Sequence, residues 1–180
     1  MANCTACGLS KTRSNTVFGS GDPGSPLVFI GEGPGAQEDL SGMPFVGRSG
    51  QLLDRLLEEE LGVDRSQLYI TNIVKCRPPE NRNPSKAEID ACTPHLVGQL
   101  DLLGHRLIIA LGSVAMSYLL EKPLQITKVR GTFFETRFGT TMPMYHPSYG
   151  LRSGAVTISA MRADLVSAKL YLRELGYWKW

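Results

Sequence analysis

The sequence predicts an α/β fold in which a mainly parallel sheet is covered by helices on both faces. Three short apolar runs, at residues 27–31, 68–73 and 107–111, are each bounded by turn residues, as strands buried in a parallel sheet are. Segments with helical spacing or helix-capping signals follow these runs. Such alternation of strand and helix is typical of a parallel sheet whose connections cross over through helices.

The helices are indicated by leucine spacing and by caps. Leucines that recur every three or four residues predict a first helix with one buried face: Leu52, Leu53, Leu56, Leu57 and Leu61. Ser85, with Glu88 three residues later, predicts a capping box for a helix that reaches about Leu103. After the third strand, Ser113 is a candidate cap for a short helix that ends near Leu120.

The C-terminal third adds a strand pair and a helix. Residues 132–138 and 141–145 are predicted strands on either side of a Phe-Gly turn. A final amphipathic helix is predicted from about Ser159 to Leu175. We expect one domain over residues 1–180, in which the first 25 residues are the only candidate appendage.

Composition excludes several classes of protein. The 180 residues are 42% hydrophobic and 20% charged, which is enough for one sizeable core. The formal net charge of +2 excludes a basic coat over the whole surface, but not a local basic patch. No apolar run approaches the roughly 18–20 residues of a membrane-spanning helix, and the first residues lack the apolar core of a signal peptide. We therefore expect a soluble cytoplasmic protein that does not enter membranes.

Ligands of parallel sheets bind in a crevice beyond the carboxyl ends of the strands. The loops expected there begin at Gly31, at Thr71 with Asn72, and at Gly112. The first reads Gly-Glu-Gly-Pro-Gly, so its glycines let the backbone approach a ligand while Glu32 projects into the crevice. The glycine spacing is not that of a dinucleotide fingerprint, and no phosphate-binding loop occurs in the chain. The alternative is a tight turn with an exposed Glu32.

Two further side chains suit a planar ligand. Phe45 lies in a segment, residues 39–50, that is too broken for a helix or strand, where it can stack on a ring or plug the core. The amide of Asn72 offers a donor and an acceptor that match a nucleobase edge, although an asparagine at a strand end is also a common turn former. Basic side chains nearby supply local positive charge: Lys75, Arg77 and Arg82.

The segment from His146 to Arg152 is predicted to be a loop that reaches the crevice. A proline follows the histidine and fixes its backbone, so the imidazole can be placed as a hydrogen-bond donor. Leu151 then offers an apolar wedge, and Arg152 a ligand for phosphate at the rim. The two other histidines are interpreted as surface or core residues: His95 and His105.

The four cysteines form a Cys-x2-Cys pair, Cys4 and Cys7, followed by the separate Cys76 and Cys92. Four thiolates suit either tetrahedral zinc or an iron–sulfur cluster, although a zinc ribbon normally supplies a second close pair. The alternative is four unrelated buried thiols. It is weakened because Cys76 lies beside a proline-rich loop that needs support. The spacing favours a metal site without deciding between zinc and iron.

Taken together, these motifs resemble those of the family 4 uracil-DNA glycosylases, the iron–sulfur class of bacteria and archaea. The resemblance runs from Cys4 to about Arg152. Its elements follow the family's order: Cys-x2-Cys, Gly-Glu-Gly-Pro-Gly, Gln-Glu-Asp, Gly-x-Pro-Phe-Val-Gly, Thr-Asn-Ile-Val-Lys-Cys-Arg-Pro-Pro, a fourth cysteine and His-Pro-Ser. Any one of these elements is weak, but the agreement of so many separated elements is specific.

The resemblance implies a three-layer uracil-DNA glycosylase fold with a central four-stranded parallel sheet flanked by helices. It implies a 4Fe-4S cluster held by Cys4, Cys7, Cys76 and Cys92. The implied reaction is hydrolysis of the N-glycosidic bond of flipped-out deoxyuridine in double- or single-stranded DNA. Free uracil is released and an abasic site remains, without lyase activity, as the first step of base excision repair. A monomer is expected for this fold.

The family's functional positions fall on residues already singled out. The implied catalytic residues are Glu32, Asn81 and His146, and the implied substrate-binding residues are Gly33, Glu38, Phe45, Asn72, Leu151 and Arg152. By resemblance, Phe45 stacks on uracil, Asn72 reads its edge and His146 donates to its O2. Glu32 orients or deprotonates water, and Leu151 with Arg152 fills the vacated site in the duplex. The cluster is expected to be structural, tying the N-terminus to the loop of Asn81.

Two departures from the family's pattern change what is expected. Gly150 stands where the family commonly has leucine, which makes the wedge smaller. Ser148 stands where many members have alanine. Serine also occurs at this position in a related group that attaches covalently to uracil-containing DNA through a histidine. Residues 79–84, where that histidine would lie, contain none, so we expect turnover by water.

Two other classes of function stay open at this stage. A nucleic-acid binding module organised by the cluster would keep its DNA affinity when Glu32 and His146 are changed. An iron–sulfur electron carrier is disfavoured, because the sequence shows no second cluster motif and no cofactor fingerprint.

Overall fold

A computed structural model describes residues 1–178 and contains one mixed sheet of six strands. The strands, in chain order, are β1 (Ser20–Gly21), β2 (Leu27–Gly31), β3 (Tyr69–Asn72), β4 (Leu107–Leu111), β5 (Phe134–Thr136) and β6 (Gly139–Met144). Their spatial order is β1-β3-β2-β4-β6-β5. The non-consecutive neighbours are joined by helical crossovers, as parallel pairing requires.

The four central strands, β3, β2, β4 and β6, are parallel, which confirms the predicted central sheet. The strand count differs from four because β1 and β5 pair antiparallel at the two edges. The register places Gly31 opposite Asn72 and Leu111 opposite Met144. The ends of these strands are therefore level, and the residues that follow them lie side by side.

The helices are α1 (Ala36–Ser41), α2 (Arg48–Leu56), α3 (Lys86–Leu102), α4 (Gly112–Leu120), α5 (Ile126–Val129), α6 (Pro147–Ser153) and α7 (Ala155–Glu174). A π-helical turn, Leu57–Leu61, extends α2 up to Gly62, where the predicted helix ends. The predicted capping box at Ser85 and Glu88 is confirmed. The predicted cap at Ser113 is wrong, because α4 begins one residue earlier and Leu111 is its N-cap.

Three short helices were not expected, the smallest of them the four-residue α5. The segment after His146, predicted as a loop, is α6, and His146 is its N-cap. Helix α1 begins the segment that was predicted to lack regular structure. A helix of six or seven residues spans fewer than two turns, so it leaves little periodicity in the sequence.

Both faces of the sheet carry a buried apolar cluster, because successive side chains of a strand point to opposite faces. From β2, Phe29 joins a cluster with the leucines of α2 and with Met161 and Leu165 of α7. Ile30 joins the other cluster, with residues of α3 and α4. The sheet thus lies between two helical layers, which confirms the predicted three-layer arrangement.

The N-terminal segment packs onto the body of the protein instead of forming an appendage. Leu9 and Val17 are buried, and the amide of Val17 donates to the carbonyl of Lys75 at 2.7 Å. The carboxylate of Asp39 accepts from the amide of Ser14 at 2.9 Å. At the other end Trp178 is buried, while Lys179 and Trp180 lie outside the described residues. Within residues 1–178 no helix is long and apolar enough to cross a membrane.

Candidate active-site cleft

A cleft of about 790 Å³ opens at the carboxyl ends of the parallel strands, where the sequence predicts a crevice. Most of the predicted site residues line it: Glu32, Gly33, Glu38, Phe45, Asn72, Asn81, His146 and Arg152. Leu151 lies on α6 outside the lining and is 41% exposed. Residues far apart in the chain are therefore brought together around one cavity.

Gly31 ends β2, and Glu32, which follows it, lines the cleft. A Cβ on Gly31 would lie 2.5 Å from Oδ1 of Asn72 and 2.6 Å from Cζ of Phe45, so only glycine lets these two side chains approach. Burial raises the pKa of the Glu32 carboxyl above its ordinary value. Within residues 1–178 this carboxylate accepts no hydrogen bond, which leaves it available to a ligand or a water molecule in the cleft.

Asn72 presents a buried amide to the cleft from the end of β3. The residue is 1% exposed, and its Oδ1 is buried with no hydrogen-bond partner within the described chain. The ammonium of Lys75 donates to the Asn72 carbonyl at 2.7 Å and to Oγ1 of Thr71 at 2.6 Å, which fixes the backbone beneath the amide. A buried acceptor without a donor is costly, so Oδ1 of Asn72 is suited to receive a donor from a ligand.

Phe45 forms one wall of the cleft. Its ring centroid lies 5.6 Å from that of His146, with 33° between the ring planes. The residue is buried and belongs to the apolar cluster below, so it both contributes to the core and lines the cavity. The interpretation of Phe45 as a core residue is therefore confirmed, and its stacking on a planar ligand stays a prediction.

Glu38, on α1, supports the loop that carries Phe45. Its Oε1 accepts from the amides of Val46 at 2.9 Å and of Gly47 at 2.8 Å. These contacts order the loop. The predicted contact of Glu38 with substrate stays a prediction.

His146 faces Phe45 across the cleft. Its Nδ1 accepts from the amide of Ser148 at 3.1 Å and lies 2.8 Å from the Ser148 hydroxyl. Because a nitrogen that accepts from an amide carries no proton, the neutral imidazole is protonated at Nε2. Burial, together with the charge of Arg152, lowers the pKa of His146 to about 4. The negative charge of Glu38 acts in the other direction and raises this pKa, but its effect is smaller. The ring is therefore neutral near pH 7 and donates through Nε2.

The rim of the cleft carries Asn81 and several basic side chains. Asn81 and Glu80 both have positive φ, 54° and 56°, in the turn that follows Pro78. The guanidinium of Arg77 donates to Oδ1 of Asn81 at 2.8 Å, which leaves the amide nitrogen free to donate. Several lining residues were missed by sequence reasoning, among them Arg48 and Tyr149. Each belongs to a motif that was noticed, but nothing in the motif distinguishes these side chains from their neighbours.

The four cysteines lie together at the base of the N-terminal segment. None forms a disulfide, and the charge of Cys7 acts on both Cys76 and Cys92. Among residues 1–178 no three His, Cys, Asp or Glu side chains are grouped closely enough to hold a single metal ion. The charges of the thiols act on one another, so the four lie in one region of the protein.

The surroundings of the thiols are rich in N–H donors and positive charge. Arg13 donates to Sγ of Cys76 at 3.3 Å, the amide of Lys75 donates to Sγ of Cys92 at 3.3 Å, and Nε2 of His95 lies 3.4 Å from Sγ of Cys4. The fully buried Lys75 has no carboxylate partner among the described residues, so an anionic group nearby would compensate its charge. The donor set fits a polynuclear iron–sulfur cluster. His95, interpreted as a surface or core residue, is half-buried, and its ring contacts the Cys4 thiol.

A comparison with protein-family models matches residues 18–166 to the uracil DNA glycosylase superfamily. A relative from Thermotoga maritima, named type-4 uracil-DNA glycosylase, is 43% identical over 176 residues, which cover 96% of this chain and 91% of the relative. A relative of the same name from Saccharolobus solfataricus is 45% identical over 156 residues, covering 82% of this chain and 72% of the relative. A third, from Sulfurisphaera tokodaii, is 41% identical over 157 residues, covering 83% and 71%.

Proposed function

This chain belongs to the uracil DNA glycosylase superfamily, and we propose that it hydrolyses the N-glycosidic bond of flipped-out deoxyuridine in DNA as a type-4 enzyme. Uracil is released, and an abasic site remains for base excision repair. The observation that carries this proposal is the pairing, in one cleft, of a neutral His146 protonated at Nε2 with an unpartnered Asn72 amide.

Recognition of the base is assigned to Phe45 and Asn72. The target base leaves the stack at a cost on the order of a few kcal/mol, which is smallest at a mismatch. In the cleft it packs against Phe45, Oδ1 of Asn72 accepts from uracil N3–H, and the amide nitrogen donates to O4. Cytosine has an unprotonated N3 and an amino group, so it would leave buried polar groups of the site unpaired.

Bond cleavage is assigned to His146 and Glu32. As the bond between C1′ and N1 lengthens, its electron pair moves to uracil, and positive charge grows on the sugar. Nε2–H of His146 donates to uracil O2, where the negative charge gathers. The Glu32 carboxylate favours the cationic sugar and orients the water whose oxygen bonds to C1′. Asn81 is assigned to the same chemistry through its free amide donor at the rim.

The absence of an amine favours hydrolysis without lyase activity. A glycosylase that also cuts the strand uses an amine to form a Schiff base with the sugar. None of the described cleft-lining side chains is a lysine. Residues 79–84 also contain no histidine that could trap the sugar covalently. We expect turnover by water, by a monomeric enzyme.

The cysteines are assigned to a 4Fe-4S cluster, since the donor set fits one. Cys4 and Cys7 bring ligands from the N-terminal segment, Cys76 from the segment after β3, and Cys92 from α3. When bound, the cluster supplies a structural cross-link between these segments. The residues themselves orient the loop that bears Asn81, because that loop begins directly after Cys76.

The test is an assay on an end-labelled oligonucleotide with one uracil opposite guanine, followed by alkali to reveal abasic sites. Wild-type protein should give alkali-dependent cleavage with turnover, and the Glu32→Gln and His146→Ala variants should lose most of it. His105→Ala is the matched control, because this histidine lies outside the cleft. If neither the wild type nor the variants cleave the oligonucleotide but all of them still bind DNA, the protein is better explained as a nucleic-acid binding module without catalysis. A denaturant-resistant shifted band would indicate covalent trapping.

A further inference from the structure

Arg65 contacts the loop of Phe45 although it lies twenty residues further along the chain. It begins the 3-10 turn Arg65–Gln67, between α2 and β3, and its side chain is 21% exposed. Its Nη1 donates to the Phe45 carbonyl at 2.7 Å, and its Nη2 donates to the Pro44 carbonyl at 2.5 Å. The planar guanidinium thereby holds two consecutive carbonyls at once, one with each terminal nitrogen.

The guanidinium is itself held by Asp54. Oδ2 of that carboxylate lies 3.2 Å from Nη1 of Arg65. Asp54 belongs to α2, the helix that begins directly after the loop of Phe45. Arg65 therefore joins this loop to a helix of the core.

The loop is held from its other side by Glu38, whose carboxylate accepts the two amides that follow Phe45. The carbonyls of Pro44 and Phe45 are thus tied to Arg65, and the next two amides are tied to Glu38. Phe45 itself has φ of 53°, a left-handed conformation that a phenylalanine adopts only where its surroundings enforce it. A Cβ on Gly50 would lie 1.8 Å from the Phe45 carbonyl, so the carbonyl packs directly on the backbone of α2.

The strained backbone decides where the Phe45 ring stands. The ring packs on Gly31, where a Cβ would lie 2.6 Å from its Cζ, and it faces His146 across the cleft. If the two carbonyls lost their donors, the backbone could relax to an ordinary negative φ, and the ring would turn away from this position. Both residues that carry these carbonyls are buried, so water could not fully replace the guanidinium.

We propose that Arg65 is a positioning residue for uracil, acting through Phe45: its guanidinium holds the Phe45 backbone in the left-handed conformation that places the ring against the base. This inference rests on the proposed function, in which Phe45 stacks on uracil. Arg65 does not line the cleft and touches no substrate. Its effect on uracil must therefore pass through the ring of Phe45.

A double-mutant cycle separates this role from general support of the fold. The variants are Arg65→Gln, Phe45→Ala and the two combined, with inhibition by free uracil and the kcat and KM for a uracil-containing oligonucleotide as readouts. Phe45→Ala should weaken uracil binding about tenfold, the order of one base–aromatic stack. Arg65→Gln should weaken it severalfold in the wild-type background but hardly at all in the Phe45→Ala background, because coupled residues are not additive.

Three further arms complete the experiment. Arg65→Lys should restore part of the binding, because one ammonium can reach one of the carbonyls. Arg137→Gln is the matched control, since it removes an arginine of another ion pair, with Glu121, outside the cleft. Thermal unfolding checks that each variant is folded. If Arg65→Gln does not fold, the cycle is run with Arg65→Lys.

The outcomes distinguish the inference from its premise. If Arg65→Gln weakens uracil binding equally in the wild-type and Phe45→Ala backgrounds, or in neither of them, the inference that Arg65 acts through Phe45 is overturned. Failure of the wild-type protein to release uracil overturns the proposed function instead, and the inference with it. Loss confined to the wild-type background supports both.

Discussion

Two ionisable side chains in the cleft have pKa values shifted by the same cause, burial, which favours the neutral form of each. Burial lowers the pKa of His146 from 6.5 to about 4 and raises that of Glu32 above 4.5. The imidazole is therefore neutral over the pH range in which Glu32 is mostly ionised. This order of protonation suits a reaction that needs a neutral donor at the base and a negative charge at the sugar.

Replacement of His146 by asparagine should lower the rate of uracil release about 100- to 1,000-fold, as removal of one preorganised donor to a developing oxyanion does. The KM should change little, because the donor acts mainly on charge that grows in the transition state. Single-turnover kinetics under saturating enzyme measures the effect. His105→Asn is the control. A decrease in the rate of uracil release of less than tenfold would show that His146 has no direct part in bond cleavage.

The acid side of the pH–rate profile should belong to Glu32. As the pH falls, Glu32 protonates first, because its pKa lies above 4.5, while His146 takes up a proton only near pH 4. The rate should therefore fall at low pH with an apparent pKa above the ordinary glutamate value. The slower Glu32→Gln variant should lack this fall. A variant that keeps the wild-type pH dependence would show that another group titrates.

Folding stability should fall in the same direction, because the pKa of His146 is lower in the folded chain than in the unfolded chain. The unfolded chain binds a proton at His146 below pH 6.5, whereas the folded chain does so only near pH 4. The contribution of His146 to the free energy of unfolding is thus fully present above pH 6.5, and it is lost as the pH falls from 6.5 to about 4.

At the scale of single elements, the four parallel strands and the helices α2, α3, α4 and α7 were predictable, whereas β1, α1, α5 and α6 were not. β2 and β4 have the predicted bounds because each is an apolar run that a sheet buries on both faces. Helix α3 was recognised from Ser85 and Glu88. Helix α6 was not, because its cap is the imidazole of His146, which was interpreted as a catalytic group alone.

The capping box of α3 should contribute measurably to the free energy of unfolding. Ser85→Ala removes the hydroxyl that accepts the amide of Glu88 at 3.3 Å and should destabilise the protein by about 1 kcal/mol. Urea unfolding near neutral pH measures the change. Ser167→Ala, on the exposed face of α7, is the control, where the effect should be near zero. Equal effects at both positions would show that the cap contributes nothing specific.

The same box carries an ion pair with a defined pH range. Arg82 binds both carboxylate oxygens of Glu88, at 2.7 and 2.8 Å, and the pKa of Glu88 falls to about 2. A lowered carboxyl pKa stabilises the fold above the ordinary value of 4.5, and this contribution is lost as the pH falls toward 2. The turn of Asn81 should therefore stay anchored to α3 at every pH at which the enzyme works.

At the scale of the whole molecule, the proposed cluster would connect the N-terminal segment to the segment after β3 and to α3. Protein purified without oxygen should contain about four iron atoms per chain, as one 4Fe-4S cluster requires. Cys76→Ser, or removal of iron with a chelator, should lower the unfolding temperature and expose the first residues to proteases. Iron content, visible absorbance and limited proteolysis follow these changes. Full stability in an iron-free protein would contradict a structural role for the cluster.

The sequence by itself determined the alternation of strands and helices, the motifs at the strand ends and the resemblance to a glycosylase family. These properties depend on local spacing and on which residues a sheet must bury, and both are written in the order of the chain. The residues proposed to touch the ligand, such as Glu32 and Asn72, were found in this way because the carboxyl ends of parallel strands meet at one edge of the sheet.

The tertiary structure alone decided the protonation of His146, the contact of His95 with a thiol, and the hold of Arg65 on the Phe45 loop. Each depends on groups that lie far apart in the chain or on the burial of a ring, which changes the dielectric environment of its charge. No spacing rule relates Arg65 to Phe45. The fold brings them within 2.7 Å because the chain leaves the Phe45 loop through α2 and then turns back toward that loop at Arg65.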